Sequence, residues 1–100
     1  MVTEIAQITI DPSQAAGFEA AVAQAAPLFR AARGCQGMSL ERTVEDPARY
    51  RLVVRWATLE DHTVAFRGSP AFLEWRALAG PFFKAPPVVE HTLSVGNYFG

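Results

Sequence analysis

Apolar and polar residues alternate in four separate stretches of the chain, and this pattern predicts four β-strands. The stretches are residues 3–10, 36–44, 50–57 and 88–95. The third alternates most clearly and places Tyr50, Leu52, Val54 and Trp56 on one face. The fourth places Val89, His91, Leu93 and Val95 on one face. Turn-forming residues at 45–48 separate the second and third strands, so we expect these two to form a hairpin.

Three other stretches carry apolar residues at helical spacing. The first helix follows Asp11, a suitable N-cap, and ends at Gly34. Its apolar stripe consists of Phe18, Val22, Ala25, Phe29 and Ala32. Thr58 and Ser69 are N-caps for two further short helices. Their inward faces consist of Leu59, His62 and Phe66 in the one and Phe72, Trp75 and Ala79 in the other.

The two short helices occupy one interval between strands, so the order of elements is β-α-β-β-α-β, the pattern of a ferredoxin-like α+β sandwich. We expect a single domain over residues 1–100, with a four-stranded antiparallel sheet and the helices on one face. The other face would carry Ile5, Arg51, Val53 and Arg55. This surface is too apolar to be left wholly in water, so we expect a homodimer in which a second sheet covers it.

Composition excludes several classes of function. Of the 100 residues, 50% are apolar and 19% are charged, the net charge is −1, and Lys and Arg form no cluster. We therefore expect no nucleic-acid partner. The N-terminus has no basic leader and no apolar run approaches ~20 residues, so we expect a cytoplasmic protein without membrane attachment. The single cysteine, Cys35, cannot form an internal disulfide.

The sequence also lacks the motifs of common cofactor and metal sites. It has two histidines and one cysteine with no HxH or CxxC spacing, so we expect no metal site. Neither a dinucleotide-binding glycine motif, a phosphate-binding loop nor a nucleophile elbow is present. Cys35 follows a helix-ending glycine rather than beginning a helix, so nothing evident activates it and we expect a structural role.

Both histidines are predicted to face inward. His62 shares the apolar side of its helix with Phe66, where a titratable ring is a candidate general base. The alternative is a core histidine that bonds a backbone carbonyl. His91 lies on the apolar face of the last strand, and it either reaches the same cavity or has a purely structural role.

Two further residues are candidates within the stretch from Trp56 to Arg76. Arg76 borders the inward stripe of its helix, four residues after Phe72, so it either reaches inward toward an anion or extends along the surface. Trp56 shares its face with Tyr50, and its default role is packing.

Three motifs are similar to those of a known family. They are RGCQGMSLERTVEDPARYRLVVRW at residues 33–56, W-x-x-L-E-D-H at residues 56–62, and F-R-G-S-P-x-F at residues 66–72. Together they resemble the antibiotic biosynthesis monooxygenases, small dimeric α+β-barrel proteins, over nearly the whole chain. The family includes oxygenases that need no cofactor and convert phenols to quinones with O₂.

This resemblance implies a set of site residues. Trp56 would stack on the aromatic substrate, His62 would assist proton removal, and Arg76 would stabilise the developing negative charge. The substrate would also contact Tyr50, Leu52, Phe66, Phe72 and His91. Leu52 and His62 stand where the aromatic polyketide oxygenase of the family has Asn and Tyr.

Two alternatives remain beside a small phenolic, quinol or polyketide-like substrate. The haem-degrading branch needs an axial histidine, and the corresponding position holds Arg76, so haem degradation is disfavoured. A non-catalytic dimeric domain that binds a hydrophobic metabolite stays open, because fold alone does not establish an activity.

Overall fold

The structure is a computed structural model that describes residues 1–100, and its main elements follow the expected order. The strands are β1 (Val2–Thr9), β2 (Cys35–Arg42), β3 (Arg49–Trp56) and β4 (Val88–Thr92). The helices are α1 (Ala15–Arg30), a π-helix (Asp61–Phe66) and α2 (Pro70–Ala79). Short 3₁₀ turns cover Pro12–Gln14 and Gly80–Phe82.

The four strands form one antiparallel sheet in the order β2-β3-β1-β4. Its register sets Ile5 of β1 opposite Val53 of β3 and opposite Glu90 of β4. The helices cover one face, which we call the inner face, and the predicted ferredoxin-like α+β fold is confirmed. No helix is long and apolar enough to cross a membrane.

The core lies between the inner face of the sheet and the helices. Its fully buried large side chains are Ile8, Ile10, Phe18, Phe29, Tyr50, Leu52, Val54 and Trp56. Alternation along β3 sends its aromatic and aliphatic residues inward, and α1 meets them with a stripe of matching spacing. The hydroxyl of Tyr50 reaches the edge of this core and donates a hydrogen bond to the carboxylate of Glu19.

The predicted helix caps are present. Asp11 accepts a hydrogen bond from the Ser13 amide, and Ser69 accepts one from the Phe72 amide. Thr58 accepts one from the amide of Asp61 at the start of the π-helix. The wider π-helical turn buries His62 and Phe66 but leaves Leu59 40% exposed, so the inward position predicted for Leu59 is wrong.

The last strand is three residues shorter than the sequence predicts. Thr92 is paired with Thr3 near the beginning of β1, so little of β1 remains to pair with residues 93–95. A strand without a hydrogen-bonded neighbour is not stable, and β4 ends there. Leu93 and Val95 are exposed as a result, and their predicted place on the apolar face is wrong.

Candidate active site

A cavity of about 360 Å³ lies between the inner face of the sheet, the π-helix, α2 and the connector before β4. Its lining is mainly apolar, with four ionisable residues: Glu4, His62, Arg67 and Arg76. Such a surface, apolar with a few polar groups, is typical of sites for small organic molecules. A larger surface depression of about 660 Å³ at the end of α2 contains no buried polar residue, so it offers less chemistry.

Glu4 is a site residue that sequence reasoning missed. It projects from β1 into the inner side of the sheet and is only 5% exposed. Its Oε1 atom accepts a hydrogen bond of 3.0 Å from Nε1 of Trp56 and lies 3.3 Å from Nε2 of His62. Burial raises the pKa of this carboxyl, against the opposing effects of the Trp56 hydrogen bond and the Arg67 charge.

His62 lies at the centre of the polar groups. The π-helix holds its ring parallel to Trp56, with the ring centroids 5.3 Å apart and an interplanar angle of 16°. Its Nδ1 atom lies 2.7 Å from Nε2 of His91. Burial lowers the pKa of His62 to about 4, with smaller contributions from Arg67 and His91.

The contact between Glu4 and His62 is short enough for an ion pair. The pKa of the carboxyl is raised, however, while that of the imidazole is lowered. Both directions disfavour the charged forms, because neither buried group is well solvated. We therefore describe this contact as a hydrogen bond, with one proton between Oε1 of Glu4 and Nε2 of His62, and not as an ion pair between a carboxylate and an imidazolium.

His91 extends this arrangement to the edge of the sheet. It is paired directly with Glu4 across β1 and β4, and β4 is an edge strand. The residue is half-buried and does not line the cavity. Burial lowers its pKa, and the nearby Arg67 lowers it further. We refer to the three residues as the Glu4–His62–His91 chain.

The structure separates the other predicted site residues into two groups. Leu52 and Phe72 line the cavity, as does Arg76. Trp56, Tyr50 and Phe66 lie outside the lining and belong to the core. Trp56 is fully buried behind His62, so its ring supports the imidazole and offers no free face to a ligand. An aromatic ligand would contact Phe72 instead.

Two arginines supply positive charge beside the cavity. Arg76 is exposed, lines the cavity, and places its guanidinium 5.8 Å from the centroid of the Phe72 ring. Arg67 follows the π-helix, lines the same cavity, and lowers the pKa values of all three residues of the chain described above. Sequence reasoning missed Arg67, although it directly follows the predicted inward residue Phe66.

A signal for Glu4 exists in the sequence. It has the same parity along β1 as the apolar residues Ala6 and Ile8, so alternation places all three side chains on one face of the strand. A carboxylate at an inward strand position is rarely buried without a partner, so that parity alone would have marked it as a candidate.

Neither metal coordination nor thiol chemistry has clear support in the site. No group of three or more His, Cys, Asp or Glu side chains is arranged to hold a metal ion. Cys35 is partly buried, and burial raises the pKa of its thiol, which disfavours the reactive thiolate.

Comparison with known proteins gives the family. The family model described as "Antibiotic biosynthesis monooxygenase" matches residues 1–78. This chain belongs to the antibiotic biosynthesis monooxygenase family. The matched region includes Glu4, His62 and Arg76, whereas His91 lies beyond it.

Three individual proteins show how similar this chain is to known sequences and structures. An uncharacterised Bacillus subtilis protein, YczJ, is 43% identical over 91 residues, which is 91% of this chain and 96% of the relative. A crystal structure from Bordetella bronchiseptica, provisionally named as a member of this family, is 52% identical with a TM-score of 0.92 and covers 94% of this chain and 96% of its own. A Caulobacter crescentus structure with the same provisional name has a TM-score of 0.81 at 23% identity, covers 95% and 90% of the two chains, and supports the fold alone.

Proposed function

We propose that this family member is a cofactor-independent monooxygenase that oxidises a small phenolic or quinol compound to a quinone. The observation that carries the proposal is the buried Glu4–His62 pair in the wall of an otherwise mainly apolar cavity. Removing a proton from a phenol requires a base, and electron transfer from the phenolate to O₂ benefits from a site without bulk water. The pair would act as the base, and the mainly apolar lining would limit the water around the substrate.

The size of the cavity restricts the substrate. A cavity of ~150 Å³ holds one benzene ring. The volume of about 360 Å³ therefore suits one or two fused rings rather than the extended ring systems of aromatic polyketides. Leu52 lines the cavity and stands where the family's aromatic polyketide oxygenase has an asparagine, so a polar contact is lost and a smaller, less functionalised ring is favoured.

For a phenol with an open para carbon, the proposed reaction balances without any further reductant. The base removes the phenol proton, and the phenolate gives one electron to O₂ to form a radical pair. The two radicals combine at the open para carbon, and the resulting peroxide anion takes up a proton. Loss of the C–H proton with cleavage of the O–O bond leaves one oxygen atom in the quinone and releases the other as water. The substrate supplies all four electrons, and O₂ is the only oxidant.

Positive charge near the cavity would assist the anionic steps. The phenolate and the peroxide both carry negative charge, and a guanidinium offers several hydrogen-bond donors to such groups. Arg76 is placed for this role because its guanidinium approaches Phe72, the aromatic side chain on which the substrate would pack. Arg67 provides a second charge beside Glu4 and His62.

We further propose that the protein acts as a homodimer joined through the outer face of the sheet. Ile5 and Val53 are neighbours at the centre of this face, and no helix covers them. Several apolar side chains after β4 are also exposed: Leu93, Val95, Tyr98 and Phe99. Covering this apolar surface with a second copy would contribute to the stability of the assembly.

Oxygen consumption with a panel of hydroquinones, naphthols and simple phenols tests the activity. We expect quinone formation in air but not under nitrogen. A naphthol or phenol with an open para carbon should place one atom of ¹⁸O₂ in the quinone and one in water. A hydroquinone should instead transfer two electrons and two protons to O₂, giving hydrogen peroxide and an unlabelled quinone. His62→Ala should lower the rate by ~10²-fold or more, as expected for loss of general-base assistance. Arg30→Ala, an exposed change on α1, is the matched control and should keep the rate.

The outcomes separate the oxygenase from the alternative function. An absence of oxygen-dependent turnover across the panel, or a full rate in His62→Ala, would contradict the proposal. If phenols and quinones raise the melting temperature of the protein but are not converted, the result favours a domain that binds a hydrophobic metabolite.

A further inference from the structure

We infer that the Glu4–His62–His91 chain is a proton relay between the cavity and the edge of the sheet. Glu4 accepts the proton of the substrate, and His62 and His91 act through Glu4 by carrying that proton toward solvent. This inference rests on the proposed oxygenase function for its biological direction, but the relay itself is a property of the three side chains.

The geometry has the connectivity that a relay requires. Nε2 of His62 lies 3.3 Å from Oε1 of Glu4, and Nδ1 of the same ring lies 2.7 Å from Nε2 of His91. Both ring nitrogens are thus in contact with a group that can give or take a proton. Oε1 receives both contacts of Glu4, which leaves Oε2 of this cavity-lining residue free for a ligand.

Two proton arrangements satisfy these contacts. When Glu4 is protonated, it donates to Nε2 of His62, and Nδ1–H donates to Nε2 of His91. When Glu4 is ionised, Nε2–H of His62 donates to the carboxylate, and Nε2–H of His91 donates to Nδ1. A neutral imidazole carries one proton on either nitrogen, so His62 changes tautomer as Glu4 changes charge.

The surroundings of the Glu4–His62–His91 chain favour passing a proton along it over holding an extra proton on a histidine. Burial keeps His62 neutral at pH 7, so it passes a proton on without becoming a stable cation. Arg67 is the charged group outside the chain that acts on all three of its residues, and Arg76 lines the same cavity. Glu4 in turn raises the pKa of the nearby Cys35 thiol. Arg67 opposes a positive charge on either histidine. Trp56 fixes the carboxylate by its hydrogen bond and the imidazole by stacking.

The reaction uses the relay in both directions, so no ring has to rotate between turnovers. In the first half, the phenol proton moves to Glu4, the Glu4 proton moves to Nε2 of His62, and the proton on Nδ1 moves to Nε2 of His91. His91 then releases its own Nδ1 proton to water. In the second half, water returns a proton along the same path to the peroxide oxygen. The relay begins and ends each turnover with the same protons.

Nitrogen NMR of protein labelled at histidine tests the relay without any substrate. Across the titration of Glu4, we expect the ring-nitrogen shifts of His62 to pass from the Nδ1–H form to the Nε2–H form. Glu4→Gln cannot ionise and should hold His62 in one tautomer over the same pH range. A single tautomer of His62 in the native protein throughout this titration would overturn the inference.

A second measurement uses the protein with 1-naphthol and air. His91→Phe should lower kcat by ~10-fold or more while KM changes little. His91→Ala leaves space for a free imidazole, and added imidazole should restore part of its rate. Glu90→Gln, on the other face of the same strand, is the matched control. A rate unaffected by His91→Phe would contradict the relay. A tautomer change without any oxidation would support the relay and count against the oxygenase.

Discussion

Glu4 and His91 are directly paired across β1 and β4, and both side chains contact the same imidazole, that of His62. The sheet therefore fixes Glu4 and His91, the two ends of the Glu4–His62–His91 chain, while the π-helix supplies His62 at its centre. Each contact involves a different element, so a change in the position of the π-helix would break both. The protonation states of these residues are therefore closely linked to the stability of the folded protein.

The first prediction concerns stability in acid. The pKa of His62 is 6.5 in an unfolded chain but about 4 in the folded protein, so the unfolded state takes up the proton first as the pH falls. The free energy of unfolding should therefore decrease between pH 6.5 and 4, by up to ~3 kcal/mol from this residue. Urea denaturation at a series of pH values measures it.

Glu4→Gln should make this decrease steeper. The folded-state pKa of Glu4 is raised, so the folded protein takes up this proton before the unfolded chain does. Acidification through that range favours folding and partly offsets the effect of His62. Glutamine cannot provide this compensation. The control Glu60→Gln removes an exposed carboxylate, and its free energy of unfolding should change with pH as that of the native protein does. If this pH dependence is equal in all three proteins, Glu4 is not buried in its neutral form.

Much of the fold could be predicted because local patterns and tertiary structure agree. The alternation in β3 and the caps Asp11, Thr58 and Ser69 correspond to features of the structure. The wrong predictions for Leu59 and for the end of β4 lie where tertiary contacts, rather than the local sequence, determine the structure. Leu59 is exposed by a helical turn with a wider repeat than the assumed one, and β4 ends because β1 offers little further pairing.

The site was less predictable because its partners are distant along the chain. The indole of Trp56 and the carboxylate of Glu4 are separated by 52 positions, and only the register of β1 with β3 brings them together. Periodicity could place His62 and His91 on inner faces, but it could not show that they touch each other. It likewise could not show that Trp56 packs behind His62 instead of facing the cavity.

The hydrogen bond from Trp56 to Glu4 should contribute measurably to stability. Trp56→Phe keeps an aromatic ring but removes the donor from a buried carboxyl, which we expect to cost ~1–3 kcal/mol beyond the loss of packing. Trp75→Phe is the matched control, since Trp75 is nearly as buried but has no carboxylate partner. Urea denaturation compares the two, and the prediction fails if Trp56→Phe is no more destabilising than the control.

Gly34 should be needed to position the π-helix. It adopts a φ of 75°, and a Cβ atom at this residue would meet the carboxylate of Asp61, the first residue of the π-helix. We expect Gly34→Ala to destabilise the protein by ~1–2 kcal/mol from backbone strain alone and to shift the NMR signals of His62. Gly80 has helical dihedral angles, and a Cβ atom there would meet no atom within 4 Å. The control Gly80→Ala should therefore be neutral or slightly stabilising. Equal stability of the two variants would show that the turn at Gly34 tolerates a side chain.

The proposed dimer predicts a specific response to charge on the outer face of the sheet. Val53 is paired with Ile5 at the centre of this face, so Val53→Asp would place two carboxylates near the two-fold axis of the assembly. Sedimentation at micromolar concentration should give a dimer mass for the native protein and a monomer mass for this variant. Val44→Asp changes a residue that is 91% exposed in the turn after β2 and should remain dimeric. A native protein that sediments as a monomer would refute this mode of assembly, because the apolar centre of the face would then be stable in water.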